Sequence, residues 1–142
     1  NAAKVLKGGG LLIGTDLVKD PAILHAAYND QTGVTAAFNK KLLLRANREL
    51  GANFDLNHFA HHACYNPTAR KIEKYLVSLA RQTVRVAGET VRFAEGEAVH
   101  TEDSQKYTIE GFTELAVEAG FTPRKSWTDA HRLFAIHWLE MR

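Results

Sequence analysis

Two polar residues in the last third of the chain have types and a spacing that suit ligand binding. Glu102 and Ser104 are two positions apart, so on a β-strand their side chains point to the same face. A carboxylate accepts hydrogen bonds and a hydroxyl both donates and accepts them, so the two together could hold one polar ring. The alternative is a helix start in which Ser104 or Thr108 is the N-cap. The spacing alone leaves both interpretations open.

A second candidate region is a loop that leads into a helix, bracketed by residues 28–30 and 33–35. The first backbone amides of a helix have no partner within the helix and lie at the positive end of its dipole, so they favour a carboxylate ligand. Tyr28 could contact such a ligand. It could equally pack its ring on the core with the hydroxyl at the surface.

Three histidines, His58, His61 and His62, form an H-x-x-H-H cluster. Residues three and four apart share a helical face, and imidazole is a good zinc ligand. No carboxylate or further histidine lies at a recognised zincin spacing, so the pattern favours histidines that face solvent or lie in the core. Cys64 is the single cysteine, and its apolar and aromatic surroundings are typical of a small core residue. We therefore predict neither a metal site nor a thiol nucleophile.

The composition is that of an ordinary globular domain. Of the 142 residues, 45% are hydrophobic and 24% charged, which is enough for one core. The 18 basic and 16 acidic side chains are scattered and give a net charge of +2, so no basic patch for nucleic acid or anionic lipid is visible. The single cysteine fits a reducing compartment. We expect a cytoplasmic protein without nucleic-acid or membrane partners.

The start of the chain predicts a turn and a buried strand. Glycines at 8–10 precede the apolar run at 11–13, a pattern typical of a strand covered on both faces in a parallel sheet. Because these glycines precede a strand, they are not a phosphate-binding loop at a helix N-terminus. The run is also too short to span a bilayer, and no signal-peptide pattern precedes it.

Two helices are predicted next. Asp20 and Pro21 are typical of a helix start, and this helix is expected to end near residues 29–30. The apolar spacing over 34–50 predicts the clearest helix of the chain, with Gly51 in the position of a C-cap glycine. The apolar face of that helix carries Phe38, Leu42, Ala46 and Leu50.

The middle of the chain predicts a short helical segment at 54–59 and then an antiparallel sheet. Apolar residues alternate over 72–79 and 82–93, with a hairpin turn at Gly88 and Glu89. Residues 96–102 are expected to continue this sheet.

The end of the chain predicts one more helix, closed by Gly120, and strands at 123–127 and 134–139. With α/β elements only at its two ends, the chain would leave a sheet edge and a sheet face uncovered. We therefore expect a preceding segment or a second chain to complete the sheet.

Several of these stretches, taken together, resemble one protein family. The motifs are L-L-I-G-T-D-L-V-K-D at 11–20, A-Y-N-D at 27–30, G-V-T-A-A-F-N at 33–39, N-R-E-L-G at 47–51 and H-T-E-D-S-Q-K-Y at 100–107. In this order, from about Gly9 to Leu139, the chain resembles the histidine Nα-methyltransferases of ergothioneine biosynthesis.

The resemblance implies an α/β fold, namely the C-terminal part of a Rossmann-type methyltransferase sheet with an inserted α+β substrate-binding domain. Residues 1–19 and 105–142 would belong to the Rossmann domain and residues 20–104 to the insert. The implied reaction uses S-adenosylmethionine to trimethylate the α-amine of L-histidine, which gives hercynine.

The resemblance also implies roles for site residues. Glu102 and Ser104 match a glutamate and a serine that hold the imidazole. Tyr28 matches a tyrosine that contacts the substrate carboxylate, and Thr35 matches a threonine that acts near the imidazole through water. No catalytic base is assigned. The family's donor-binding half has no counterpart here, so we expect the S-adenosylmethionine site upstream of Asn1 or on a complementary chain, and this chain alone to be inactive.

Two other functions are alternatives at this point. Relatives of this family methylate a prenylated tryptophan, although Glu102 and Ser104, which match imidazole-binding residues, argue against that substrate. A non-catalytic fragment that binds an amino acid would keep the pocket without the donor site.

Overall fold

The computed structural model describes residues 5, 6 and 8–141. Its helices are α1 (Pro21–Tyr28), α2 (Val34–Leu50) and α3 (Ile109–Glu118), with a 3-10 turn at Leu56–His58. Its strands are β1 (Gly10–Asp16), β2 (Phe59–Asn66), β3 (Lys71–Ser78), β4 (Gln82–Val86), β5 (Glu89–Phe93), β6 (Ala98–Gln105), β7 (Phe121–Thr128) and β8 (Phe134–Met141). None of the helices in the described residues is long and apolar enough to cross a membrane.

The chain divides into two compact units. One consists of Asn1–Lys19 together with Gln105–Arg142, and the other is Asp20–Ser104. The second unit is therefore inserted, in sequence, between the two parts of the first. That the first unit is part of a Rossmann domain and the second a substrate domain stays a prediction.

The first unit contains a three-stranded sheet in the order β1-β8-β7, in which β8 is antiparallel to both neighbours. The sequence predicted a parallel neighbour for β1 and burial of both its faces. For the described residues this is wrong, because β1 pairs there with β8 and Leu12 is 62% exposed. A short apolar run is compatible with either pairing, so the pattern could not distinguish them.

Two glycines of β1 make room for aromatic rings of β8. A Cβ atom at Gly10 would lie 2.2 Å from the ring of Trp138, and one at Gly14 would lie 2.5 Å from the ring of Phe134. Both distances are far inside van der Waals contact, so a larger residue at either position would have to displace the facing ring.

Helix α3 buries Phe112 and Ala116, as its predicted apolar spacing requires. Its N-cap is Thr108, whose hydroxyl accepts a 3.0 Å hydrogen bond from the amide of Gly111. Of the two N-cap residues that the sequence suggested, Thr108 is therefore the one used. Ser104 lies within β6 instead.

The second unit contains the sheet β2-β3-β6 and the hairpin β4-β5. The predicted hairpin is confirmed, but its two-residue turn is Ala87 and Gly88, one residue earlier than predicted, because Glu89 is already paired with Val86. Both turn residues have positive φ, 51° and 86°, as a type I′ turn requires. The main apolar cluster of this unit contains Leu43, Phe59, Leu76, Val84 and Phe93.

Strand β2 was not predicted. The two buried apolar residues of this strand, Phe59 and Ala63, are four positions apart, a spacing that fits a helix as well as a strand. His61 lies between them on the same face of the strand. The histidines that the sequence placed on one helical face therefore belong to a 3-10 turn and a strand, with His58 on the turn and His61 and His62 on β2.

The bounds of α2 agree with the prediction, but its predicted apolar face is not the buried one. Phe38 and Leu42 are 59% and 49% exposed, whereas Asn39 and Leu43 are buried. A polar residue thus occupies the buried side of the helix. This is why apolar spacing identified the helix but misassigned its orientation.

Candidate functional site

The end of α1 and the end of β6 are joined by a hydrogen bond between two predicted site residues. The hydroxyls of Tyr28 and Ser104 lie 2.8 Å apart. Helix α1 starts at its N-cap Asp20, which accepts from the amide of Ala22 at 2.8 Å, and the helix ends at Tyr28. The tyrosine ring packs on an apolar cluster of Leu24, Ala63 and Ile72. The ring thus packs on the core, as one interpretation expected, while the hydroxyl reaches Ser104.

Glu102 lies on the same strand and forms an ion pair with a lysine that the sequence analysis missed. The ammonium of Lys74 is 2.7 Å from the Glu102 carboxylate, and the lysine side chain is only 5% exposed against 48% for the glutamate. The same ammonium lies 5.9 Å from the ring centre of Tyr28 and 5.4 Å from that of Phe38. Lys74 therefore links Glu102 to the tyrosine that bonds Ser104.

A signal for Lys74 is present in the sequence. Ile72 and Leu76 flank it at intervals of two in the alternating strand β3, and all three side chains are buried. Alternating positions of a strand point to one face, so a lysine in that register is directed into the protein. A buried ammonium needs a partner of opposite charge, which here is Glu102.

Beside this pair lies an open cleft of about 230 Å³ between α2 and β6. Phe38 and Leu42 supply its apolar wall, Glu102 its carboxylate, and Lys41 and Arg45 its cations. Sites for drug-sized ligands usually have volumes of about 300–1,000 Å³, so this cleft has the scale of a smaller molecule such as one amino acid. The exposed apolar face of α2 therefore lines a cleft.

A buried hydrogen-bond network connects the helices and strands that carry the site. The amide nitrogen of Asn39 bonds the Tyr75 carbonyl and His61 Nδ1, both at 3.0 Å, and its oxygen accepts from the Thr101 hydroxyl at 2.7 Å. His61 Nε2 lies 2.8 Å from the carbonyl of Tyr28. Because a carbonyl only accepts, His61 is the Nε2–H tautomer, and Nδ1 accepts from Asn39. Both ring nitrogens are thus used in tying the end of α1 to α2.

Thr35 lies at the start of α2, and its hydroxyl donates to the carbonyl of Ala27 at 3.2 Å. The amides of Val34 and Thr35 donate to the carboxylate of Asp30, each at 2.9 Å. Hydrogen bonds from the Thr32 hydroxyl and from Thr35 hold the pKa of Asp30 well below its usual value. The amides that the sequence offered to a ligand carboxylate therefore bind the chain's own Asp30.

The predicted site residues are thus brought together to different degrees. Tyr28 and Ser104 are in direct contact, and Glu102 is connected to them through Lys74. Thr35 instead bonds Ala27 and Asp30. Within the described residues, no group of three or more histidine, cysteine, aspartate or glutamate side chains is arranged to hold a metal ion.

Two glycines and the aspartate of β1 are occupied by other parts of the chain and do not fit a methyl-donor site. The space beside Gly10 and Gly14 is filled by aromatic rings of β8. The carboxylate of Asp16 is bound by Lys106 at 2.8 Å and by Lys19. Burial opposes ionisation of Asp16, but the hydrogen bonds from Lys106 and Lys19 outweigh it and lower the pKa of this carboxyl group. Neither the glycines nor this aspartate is therefore available to a donor.

Comparison with known proteins agrees with the resemblance. The family described as histidine-specific, SAM-dependent methyltransferase matches residues 1–141. A histidine N-alpha-methyltransferase of Mycolicibacterium smegmatis is 47% identical over 124 residues, and that of Mycobacterium tuberculosis is 44% identical over the same length. Ergothioneine biosynthesis protein 1 of Neurospora crassa is 29% identical and covers 91% of this chain.

These matches cover most of this chain but a smaller part of each relative. The alignment with the two bacterial proteins includes 86% of this chain and 39% of their length. For the Neurospora crassa protein the share is 14%. Since the family match extends over residues 1–141, the chain belongs to the histidine-specific, S-adenosylmethionine-dependent methyltransferases.

Proposed function

We propose that this chain forms the amino-acid site of an enzyme that trimethylates the α-amine of L-histidine to hercynine in ergothioneine biosynthesis. The observation that carries the proposal is the grouping of Glu102, Ser104 and Tyr28 around Lys74, beside an open cleft. The names of the relatives support the same substrate and pathway.

In this proposal Glu102 and Ser104 hold the imidazole. The carboxylate accepts a ring N–H, and the serine hydroxyl bonds the second ring nitrogen. A side chain without a ring N–H would lose this hydrogen bond and leave the Glu102 carboxylate with only its ion pair to Lys74. Indole also has a ring N–H but no second ring nitrogen to accept from Ser104, so the two contacts together favour histidine over a prenylated tryptophan.

Tyr28 and Thr35 are proposed to contact the substrate less directly. The resemblance implies that Tyr28 contacts the substrate carboxylate, yet its hydroxyl bonds Ser104. A contact with the carboxylate therefore requires the tyrosine to share or exchange that bond. Thr35 is proposed to contact the ring through a water molecule. Its hydroxyl would then accept a hydrogen bond from water while it donates to the Ala27 carbonyl.

In this reaction the protein acts mainly by positioning the substrates. S-adenosylmethionine, as the second substrate, supplies a methyl group on a positively charged sulfur that is already electrophilic. With the imidazole fixed, the α-amine needs only to be unprotonated and in line with that methyl group, so orientation provides the rate enhancement. We assign no general base among the described residues.

We further propose that another part of the same protein, or a separate chain, supplies the donor site. The aligned relatives are longer than this chain, and the glycines and aspartate of β1 are occupied by neighbouring side chains. By "complete enzyme" we mean this chain together with that part.

The test is product analysis by mass spectrometry. The complete enzyme, given histidine and S-adenosylmethionine, is expected to form mono-, di- and trimethylhistidine, and this chain alone to form none. Methylation of a tryptophan derivative in place of histidine would overturn the substrate assignment. If the complete enzyme formed no methylated product from either, the enzymatic proposal would fail in favour of a binding fragment.

A further inference from the structure

We propose that Lys74 makes this site select the neutral form of the substrate imidazole, by compensating the charge of Glu102 before histidine binds. The inference rests on the proposed function, which places the imidazole at Glu102 and Ser104. Its basis is the 2.7 Å ion pair between a half-exposed carboxylate and a side chain that is 5% exposed.

The geometry leaves Glu102 able to accept a hydrogen bond but compensates its charge. A carboxylate without a cation would favour an imidazolium, since opposite charges a few ångströms apart attract strongly in a partly buried site. Here the ammonium of Lys74 already balances that carboxylate. An imidazolium would bring a second positive charge next to Lys74, and among the described residues that line the cleft Glu102 is the one carboxylate.

The other ionisable groups around Glu102 lie on α1, α2 and β2. Lys41 and Arg45 of α2 line the cleft with it; Lys41 adds positive charge, whereas Arg45 is paired with Glu49 at 2.8 Å. Tyr28 of α1 presents its ring to Lys74. On β2, the ring nitrogens of His61 contact Asn39 and the Tyr28 carbonyl.

The hydrogen-bond count also fits a neutral ring. Neutral imidazole has one N–H, which Glu102 can accept, and one lone pair, which can accept the proton of the Ser104 hydroxyl. Ser104 can then accept from Tyr28, 2.8 Å away. An imidazolium has two N–H groups and would require Ser104 to accept from the ring.

A specific pH dependence follows. The imidazole of histidine titrates with a pKa of about 6.5, and the neutral form is the one present above it. If only the neutral form binds, the dissociation constant for histidine rises as pH falls through that pKa, approaching about tenfold per pH unit. In Lys74→Met the uncompensated Glu102 favours the imidazolium, so the rise is expected to disappear or reverse.

The experiment is titration calorimetry of the complete enzyme with L-histidine between pH 5 and pH 7.5. The matched control is Lys71→Met, on the same strand, since Lys71 pairs with Asp103 at 2.7 Å and is more exposed. This control and the wild type are expected to show the same pH dependence of histidine binding. In Lys74→Met, binding is not expected to weaken at acid pH. Triazolylalanine, whose ring stays neutral in this range, is expected to bind the wild type with little pH dependence.

The outcomes separate this inference from the proposed function. If Glu102→Gln binds histidine as tightly as the wild type, the placement of the imidazole fails. If Glu102→Gln weakens binding but Lys74→Met keeps the wild-type profile, the role of Lys74 is overturned. Should Lys74→Met fail to fold, the titration of the wild type still tests the inference. Tighter binding of histidine at pH 5 than at pH 7.5 would contradict selection of the neutral ring.

Discussion

The hydroxyl of Tyr28, at the end of α1, lies 2.8 Å from the hydroxyl of Ser104, 76 residues later in the chain. Because a tyrosine hydroxyl carries one proton, this bond determines what Tyr28 can offer a ligand. If Tyr28 donates to Ser104, its effect on the substrate passes through the serine to the imidazole. If it donates to the substrate carboxylate instead, the Ser104 hydroxyl can donate to Tyr28.

Replacing Tyr28 with phenylalanine separates these two roles. We expect Tyr28→Phe in the complete enzyme to weaken binding of histidine and of histamine, which has no carboxylate, by a similar factor of about 5–10. Tyr65→Phe is the matched control, since Tyr65 packs on the same apolar cluster. Weaker binding of histidine alone would instead show that the hydroxyl serves the carboxylate.

The buried amide of Asn39 is expected to matter for stability. In Asn39→Ala, the Nδ1 atom of His61, the Tyr75 carbonyl and the Thr101 hydroxyl each lose a partner. Unsatisfied buried polar groups destabilise a fold, so we expect a loss of about 1–3 kcal/mol, measured by urea unfolding of the complete enzyme. Asn57→Ala, at an exposed position in the 3-10 turn, is the control. Equal stabilities of the two variants would mean that the network contributes little.

His137 is expected to make the fold sensitive to acid. Its two ring nitrogens bond the hydroxyls of Thr15 at 2.9 Å and Ser126 at 2.8 Å, and burial lowers its pKa. Below about pH 6.5, the usual pKa, the unfolded chain gains a proton that the folded chain resists, so stability falls with pH. In His137→Gln the loss of melting temperature between pH 7.5 and pH 5 is expected to be smaller than in wild type. The exposed His58 provides the control substitution, and an unchanged acid response in His137→Gln would refute the role of His137.

Local sequence patterns predicted the elements of this chain better than their environments. The spacing over Val34–Leu50 gave the helix with its bounds, and Gly88 marked the hairpin turn. The same spacing suggested Phe38 and Leu42 as one apolar face, but Asn39 lies on the buried side because its amide has partners on two strands and in a histidine ring. Such partners are distant in sequence, so no local pattern reveals them.

In the candidate site, too, local patterns revealed positions on a strand but not contacts between residues distant in sequence. Glu102 and Ser104 are recognisable as a pair on one face of a strand, which the position of both in β6 confirms. The contact of Tyr28 with Ser104 depends on tertiary structure and could not be derived from spacing. Lys74 could have been noticed as a lysine in the apolar register of β3, although its partner could not. The loop before α2 was misjudged, since Asp30 occupies the amides that were expected to bind a ligand.

The central claim, that Glu102 belongs to a histidine-binding site, is tested most directly by titration calorimetry of the complete enzyme with L-histidine at pH 7.5. The comparison is between the wild type, Glu102→Gln, and Asp103→Asn as a control on the neighbouring position, whose carboxylate pairs with Lys71 and His100. We predict that Glu102→Gln weakens histidine binding by at least tenfold, the equivalent of about 1.4 kcal/mol, and that Asp103→Asn leaves it within about twofold. Wild-type affinity in Glu102→Gln, or no histidine binding by the wild type, would contradict the claim.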